Sequence, residues 1–143
     1  MPPRRLTQTA KPTILVVDDH SDLRDALTLL LETEGYRVVD AGNGAEALEH
    51  LWSGADVHGV IMDLDMPVMN GWEFLSACRQ RAAWKSIPTL IVTGINLEER
   101  RRSELGDVAI FRKPVGFEEL LAAVRRVMIR EVPGPANIPS PQR

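Results

Sequence analysis

Short apolar runs that each stop abruptly on a charged or hydroxyl residue constrain this 143-residue chain more than any other feature. TILVV at 13–17 stops on Asp18-Asp19, VIM at 60–62 stops on Asp63, and TLIV at 89–92 stops on Thr93. A strand with one wet face alternates polar and apolar residues. An unbroken apolar run instead reads as a strand covered on both faces, the environment of a parallel sheet packed between helices. Between the runs, apolar residues recur at helical spacing: Leu23, Ala26, Leu27, Leu30 and Leu31, then Ala47, Leu48, Leu51 and Trp52, then Trp72, Phe74, Leu75, Ala77 and Cys78. Asn43-Gly44 opens the second of these helices, Gly35 and Gly54 stop the first two, and Ile87-Pro88 breaks the third. Further strands are expected at 36–41 and 108–111, a short exposed helix at 96–104, and a last helix at 117–129 carrying Leu120, Leu121, Val124, Val127 and Met128 on one face.

Five strands alternating with helices imply right-handed crossovers and an α/β fold, a doubly wound five-stranded parallel sheet with helices on both faces. The length suits one domain, placed at 13–130. Residues 1–12, with Pro2, Pro3 and Pro12, read as a mobile lead-in, and residues 131–143, with Pro133, Pro135, Pro139 and Pro141, as a disordered tail or linker. A net charge of -3 argues against a chain built to neutralise nucleic-acid phosphates. The single Cys78 excludes a disulfide framework or a Cys-rich zinc site within the chain and suggests a reducing compartment. No apolar run is long enough to cross a bilayer, so a cytoplasmic protein without membrane contact is expected.

In a parallel sheet every strand ends on the same side, so Asp18, Asp19, Asp63, Thr93 and Lys113, far apart in sequence, converge on one pocket. Three carboxylates packed together repel one another unless a cation shares the site. Oxygen donors without paired His or Cys select a hard ion, and Mg²⁺ commonly takes one or two carboxylates, waters and a phosphate oxygen. Lys113 supplies a compact positive charge able to pair with Asp63 and then with a phosphoryl oxygen, and Thr93 supplies a hydroxyl at the same rim. A carboxylate so surrounded can attack a phosphoryl group and hold the acyl phosphate, which makes Asp63 the candidate nucleophile. His20 stands where it could ligate a metal beside Asp19, but hard-ion chemistry does not call for it and it reads rather as the surface residue that starts the first helix; Trp72 reads as packing for the third.

Asp18-Asp19, Asp63 followed by Met66-Pro67 and Asn70-Gly71, Thr93-Gly94 and Lys113-Pro114 together resemble the receiver domain of two-component response regulators, over roughly residues 13–130. The resemblance implies a flavodoxin-like sheet in the order 2-1-3-4-5. It also implies phosphorylation of Asp63 by a sensor histidine kinase or a histidine phosphotransfer protein. Mg²⁺ is expected on Asp19 and Asp63, beside Asp18, with the backbone carbonyl of Asp65. The implied mechanism is a two-state switch in which the Thr93 hydroxyl moves to the phosphoryl group and Lys113 pairs with another of its oxygens. The family usually carries Tyr or Phe three residues before the lysine. Here Ile110 holds that place, with Phe111 one position later and, by strand alternation, on the opposite face.

Output is expected to pass through contacts with a downstream protein, from a monomer or a phosphorylation-dependent dimer, and not through direct nucleic-acid binding. Catalysis is expected to be self-directed, limited to the chain's own phosphorylation and hydrolysis. Two alternatives differ in class. One is a phosphatase using Asp63 as nucleophile with Asp65 as general acid; the other is a receiver-like binding module that is never phosphorylated.

Overall fold

The computed structural model describes residues 11–131. Five strands, β1 (Thr13–Val17), β2 (Arg37–Ala41), β3 (Gly59–Met62), β4 (Thr89–Thr93) and β5 (Ala109–Arg112), alternate with five helices, α1 (Ser21–Thr33), α2 (Gly44–Trp52), α3 (Gly71–Arg79), α4 (Glu99–Glu104) and α5 (Phe117–Glu131). All four pairings are parallel and the sheet order is β2-β1-β3-β4-β5. The sequence-based order and element types are those observed. Boundaries move by a few residues: α4 begins at Glu99 and α5 continues through Glu131.

The unbroken apolar runs are buried on both faces. In β1, Leu15 and Val17 join the core layer of α2 and α3, which holds Ala47, Leu51, Phe74, Leu75 and Cys78, while Ile14 and Val16 join the layer of α1 and α5, which holds Leu27, Leu31, Leu120, Leu121 and Val124. Residues one apart on a strand point to opposite faces, so the run supplies two cores at once. The same alternation sends Ile110 to the first layer and Phe111 to the second, as strand geometry predicts. Burying a Leu or Val side chain stabilises a fold by roughly 1.5–3 kcal/mol, so the two layers together dominate its energetics.

Local sequence sets the helix starts. The Asn43 side chain accepts from Glu46 N–H at the head of α2, and Asn70 and Glu73 form a reciprocal capping box at the head of α3. The turn before α3 is tight: Met69 N–H donates to the Pro67 carbonyl at 2.7 Å, and Val68 between them lies at φ 70°. The Lys113-Pro114 peptide bond is cis. The lead-in and tail of the sequence reading lie outside the described residues, except at their inner ends. There, the Pro12 carbonyl accepts from Arg37 N–H at 2.8 Å and extends the β1–β2 ladder.

Candidate functional site

The backbone ladder continues one rung beyond the strands. Asp18 N–H donates to the Ala41 carbonyl at 3.1 Å, Asp63 N–H to Val17 at 3.0 Å, and Lys113 N–H to Thr93 at 2.9 Å. Three of the polar residues that terminate the apolar runs are therefore placed by the sheet itself. Sites built on such regular elements are held more rigidly than sites on loops.

Asp18 and Asp63 are 3% and 4% exposed. Lys113 Nζ donates to Oδ2 of both carboxylates, at 2.9 Å each. Burial by itself pulls the ammonium toward its neutral form, but the hydrogen bonds and charges of Asp63 and Asp18 outweigh it, and its pKa is raised above the ordinary lysine value. The other oxygen of Asp63, Oδ1, accepts from Leu64 N–H at 2.6 Å and, more weakly, from Asp65 N–H at 3.4 Å. Leu64 and Met66 are buried and anchor the loop that follows. On the opposite side, Asp18 Oδ1 accepts from His20 N–H at 2.9 Å, with His20 Nδ1 3.1 Å away. The Asp18 carbonyl takes a 2.6 Å bond from Arg24, whose Nε also bonds Asp40.

One carboxylate oxygen each from Asp18, Asp19 and Asp63 and a ring nitrogen of His20 lie within 4.8 Å of one another. Three carboxylates against the single ammonium of Lys113 leave the pocket with two uncompensated negative charges. Such an excess, with two of the three carboxylates buried, is costly unless a cation shares the site. The donor set, mostly carboxylate oxygen, fits a hard divalent ion.

The structure thus brings Asp18, Asp19, Asp63 and Lys113 together. Thr93 stands at the same edge of the sheet, fully buried, but its Oγ1 accepts from Ile95 N–H at 3.2 Å, and no hydrogen bond joins it to Asp63. Asp65 is exposed, with its own N–H turned toward Asp63. One feature escaped the sequence reading, and a second was weighed there and set aside. Lys113 is held by Asp18 as well as by Asp63. His20, set aside as a ligand in favour of a helix start, belongs to the cluster, because Asp18 accepts its N–H two residues on in an Asx turn; an Asp two residues before the residue that heads a helix carries that cue in sequence.

A parallel sheet ordered 2-1-3-4-5, with a lysine-bridged acidic pocket on the carboxyl side of its switch point, defines the chemotaxis-receiver class of flavodoxin-like domains. The family model described as the response regulator receiver domain matches residues 14–125, and the chain belongs to that family. It resembles the sensory transduction protein RegX3 of Mycolicibacterium smegmatis, 36% identical over 121 residues that cover 82% of this chain and 51% of RegX3, so it spans about half the length of that relative. Among solved structures, chemotaxis protein CheY4 of Vibrio cholerae is similar with a TM-score of 0.75 and 33% identity, covering 82% of this chain and 99% of CheY4. The response regulator TrrA of Thermotoga maritima, solved in complex with Mg²⁺ and BeF, has a TM-score of 0.71 and 32% identity over 81% of this chain and 98% of TrrA. This is a receiver domain of two-component signalling, a family whose members pair with histidine kinases. Among the described residues, no helix is long and apolar enough to cross a membrane.

Proposed function

We propose that Asp63 is the phosphoacceptor, taking a phosphoryl group from a sensor histidine kinase or a histidine phosphotransfer protein, and that the chain signals through contacts with a downstream output protein. The observation that carries this reading is the buried Asp63 carboxylate, fixed by two backbone N–H groups on one oxygen and by Lys113 on the other. Attack by a carboxylate oxygen forms the new O–P bond as the N–P bond to the donor imidazole breaks, and the imidazole leaves with the bonding pair. Lys113, already protonated between Asp18 and Asp63, holds charge that an arriving phosphoryl oxygen can share. Asp19 and Asp63, with Asp18 beside them and the backbone carbonyl of Asp65, are the groups assigned to Mg²⁺. Bound there, the ion would offset negative charge on the phosphoryl oxygens.

The switch assigned to this chain moves the Thr93 hydroxyl from Ile95 N–H to the phosphoryl group. That exchange replaces one neutral hydrogen bond by a charge-assisted one, which is roughly twice as strong. Ile110 and Phe111 stand on opposite faces of β5, and Ile110 offers no ring to change rotamer at the family's aromatic position. Incubation with acetyl phosphate, with and without Mg²⁺, beside an Asp63→Asn variant, tests the reading by intact mass. One labile phosphoryl group that requires both Mg²⁺ and Asp63 is expected. Incorporation that survives Asp63→Asn would remove Asp63 from the role. No incorporation from acetyl phosphate or from a competent histidine kinase would leave a binding module.

A further inference from the structure

His20 makes no hydrogen bond from its side chain to the head of α1, belongs to neither core layer, and exposes 69% of its side chain. Neither helix capping nor packing holds its ring; its side-chain partners are carboxylates of the pocket, with Asp18 at hydrogen-bond distance. Its Nδ1 is 3.1 Å from Asp18 Oδ1 and 3.4 Å from Asp19 Oδ1. Atoms bound side by side to one first-row ion at about 2.1 Å lie about 3.0 Å apart at a right angle and about 3.4 Å apart at the tetrahedral angle. The ring nitrogen therefore stands at the spacing of a neighbouring ligand from both carboxylates. The backbone of the same residue is pinned by Asp18, which fixes the direction from which the ring approaches.

We propose that His20 is a metal ligand that, with Asp18 and Asp19, raises the affinity of this pocket for imidazole-binding first-row ions such as Mn²⁺ and Co²⁺ relative to Mg²⁺. Carboxylate, carbonyl and water oxygens suffice for Mg²⁺, a hard ion that holds its waters, whereas imidazole strengthens binding along the series from Mn²⁺ to Co²⁺. The two classes of ion thus share the carboxylates and differ at His20. The inference rests on the acidic pocket being the cation site of the proposed function.

The full chain loaded with Mn²⁺ is compared with His20→Ala and His20→Gln by pulsed electron paramagnetic resonance, and Co²⁺ and Mg²⁺ affinities are measured by titration calorimetry. A directly bound imidazole nitrogen is expected on Mn²⁺ in the native chain and not in either variant. The ratio of Co²⁺ to Mg²⁺ affinity is expected to fall at least tenfold on removing His20. Bound Mn²⁺ without nitrogen coupling, or a ratio unchanged by both substitutions, overturns the role of His20 while Mg²⁺ binding upholds the pocket. A native chain that binds neither ion overturns both readings. An Asp19→Asn variant, expected to weaken both ions, confirms that they share one site.

Discussion

Gly71 shows how little slack surrounds the acidic pocket. A Cβ there would lie 2.6 Å from the Asp63 carbonyl oxygen and 2.9 Å from Leu64 Cα, both of them backbone atoms. Its N–H also donates to the Leu64 carbonyl at 2.9 Å, so α3 begins hard against the strand exit that carries Asp63. Gly71→Ala is expected to destabilise the fold by roughly 1–3 kcal/mol, the usual cost of overpacking, and to displace Asp63. Urea unfolding checks it; an unchanged midpoint would mean that the loop gives way freely. Asp18, Asp63 and Lys113 were legible in the sequence because each directly ends a strand, and topology then forces them together. His20 was legible only as an alternative to a surface helix start, because its place depends on a side-chain turn at Asp18 that periodicity does not encode. Val68 was not legible either. A β-branched residue at positive φ has no sequence cue, and the strongest turn residues, Asn70-Gly71, lie two positions further on.

The helices differ in what holds them. α1, α2, α3 and α5 each bury an apolar stripe, and their 3.6-residue spacing made them readable. α4 has six residues, none of them buried, too few to persist alone in water. The sequence showed a short exposed helix of mixed charge, but not its fastening. The Arg79 guanidinium of α3 donates to the carbonyls of Glu104, at 3.4 Å, and Leu105, which are orphaned at the end of α4. Arg101 lies 4.0 Å over the Trp72 ring, in a cation–π contact with the first turn of α3. An arginine reads as a surface residue in sequence, and its reach across 26 positions cannot be read from local pattern. Arg79→Ala is expected to speed amide exchange at residues 99–105 at least tenfold while lowering global stability by only about 1 kcal/mol, the typical worth of such a bond. Exchange at the native rate would show that Leu105, buried at 1% exposure, holds α4 unaided.

At the scale of the molecule, the pocket couples stability to cations. A ligand that binds only the folded state stabilises it by RT ln(1 + [L]/Kd), about 1.4 kcal/mol at ten times Kd. Mg²⁺ is therefore expected to raise the thermal midpoint with concentration, and a chelator to reverse the gain. In a variant carrying both Asp19→Asn and Asp63→Asn the response should vanish, which scanning calorimetry reads directly. A midpoint indifferent to Mg²⁺ in the native chain would remove the ion from the pocket.

The parallel sheet has one more consequence. β1 begins at the amino edge of the sheet, and α5 returns to that edge, where Met128 packs against Gly59 at the start of β3. The chain thus enters and leaves the described fold at one pole, and the Asp63 pocket opens at the other. A fluorophore, a bead or a second folded module attached where the described fold begins or ends, at residues 11 or 131, would hang from the far pole, leaving the phosphoryl donor an unobstructed approach.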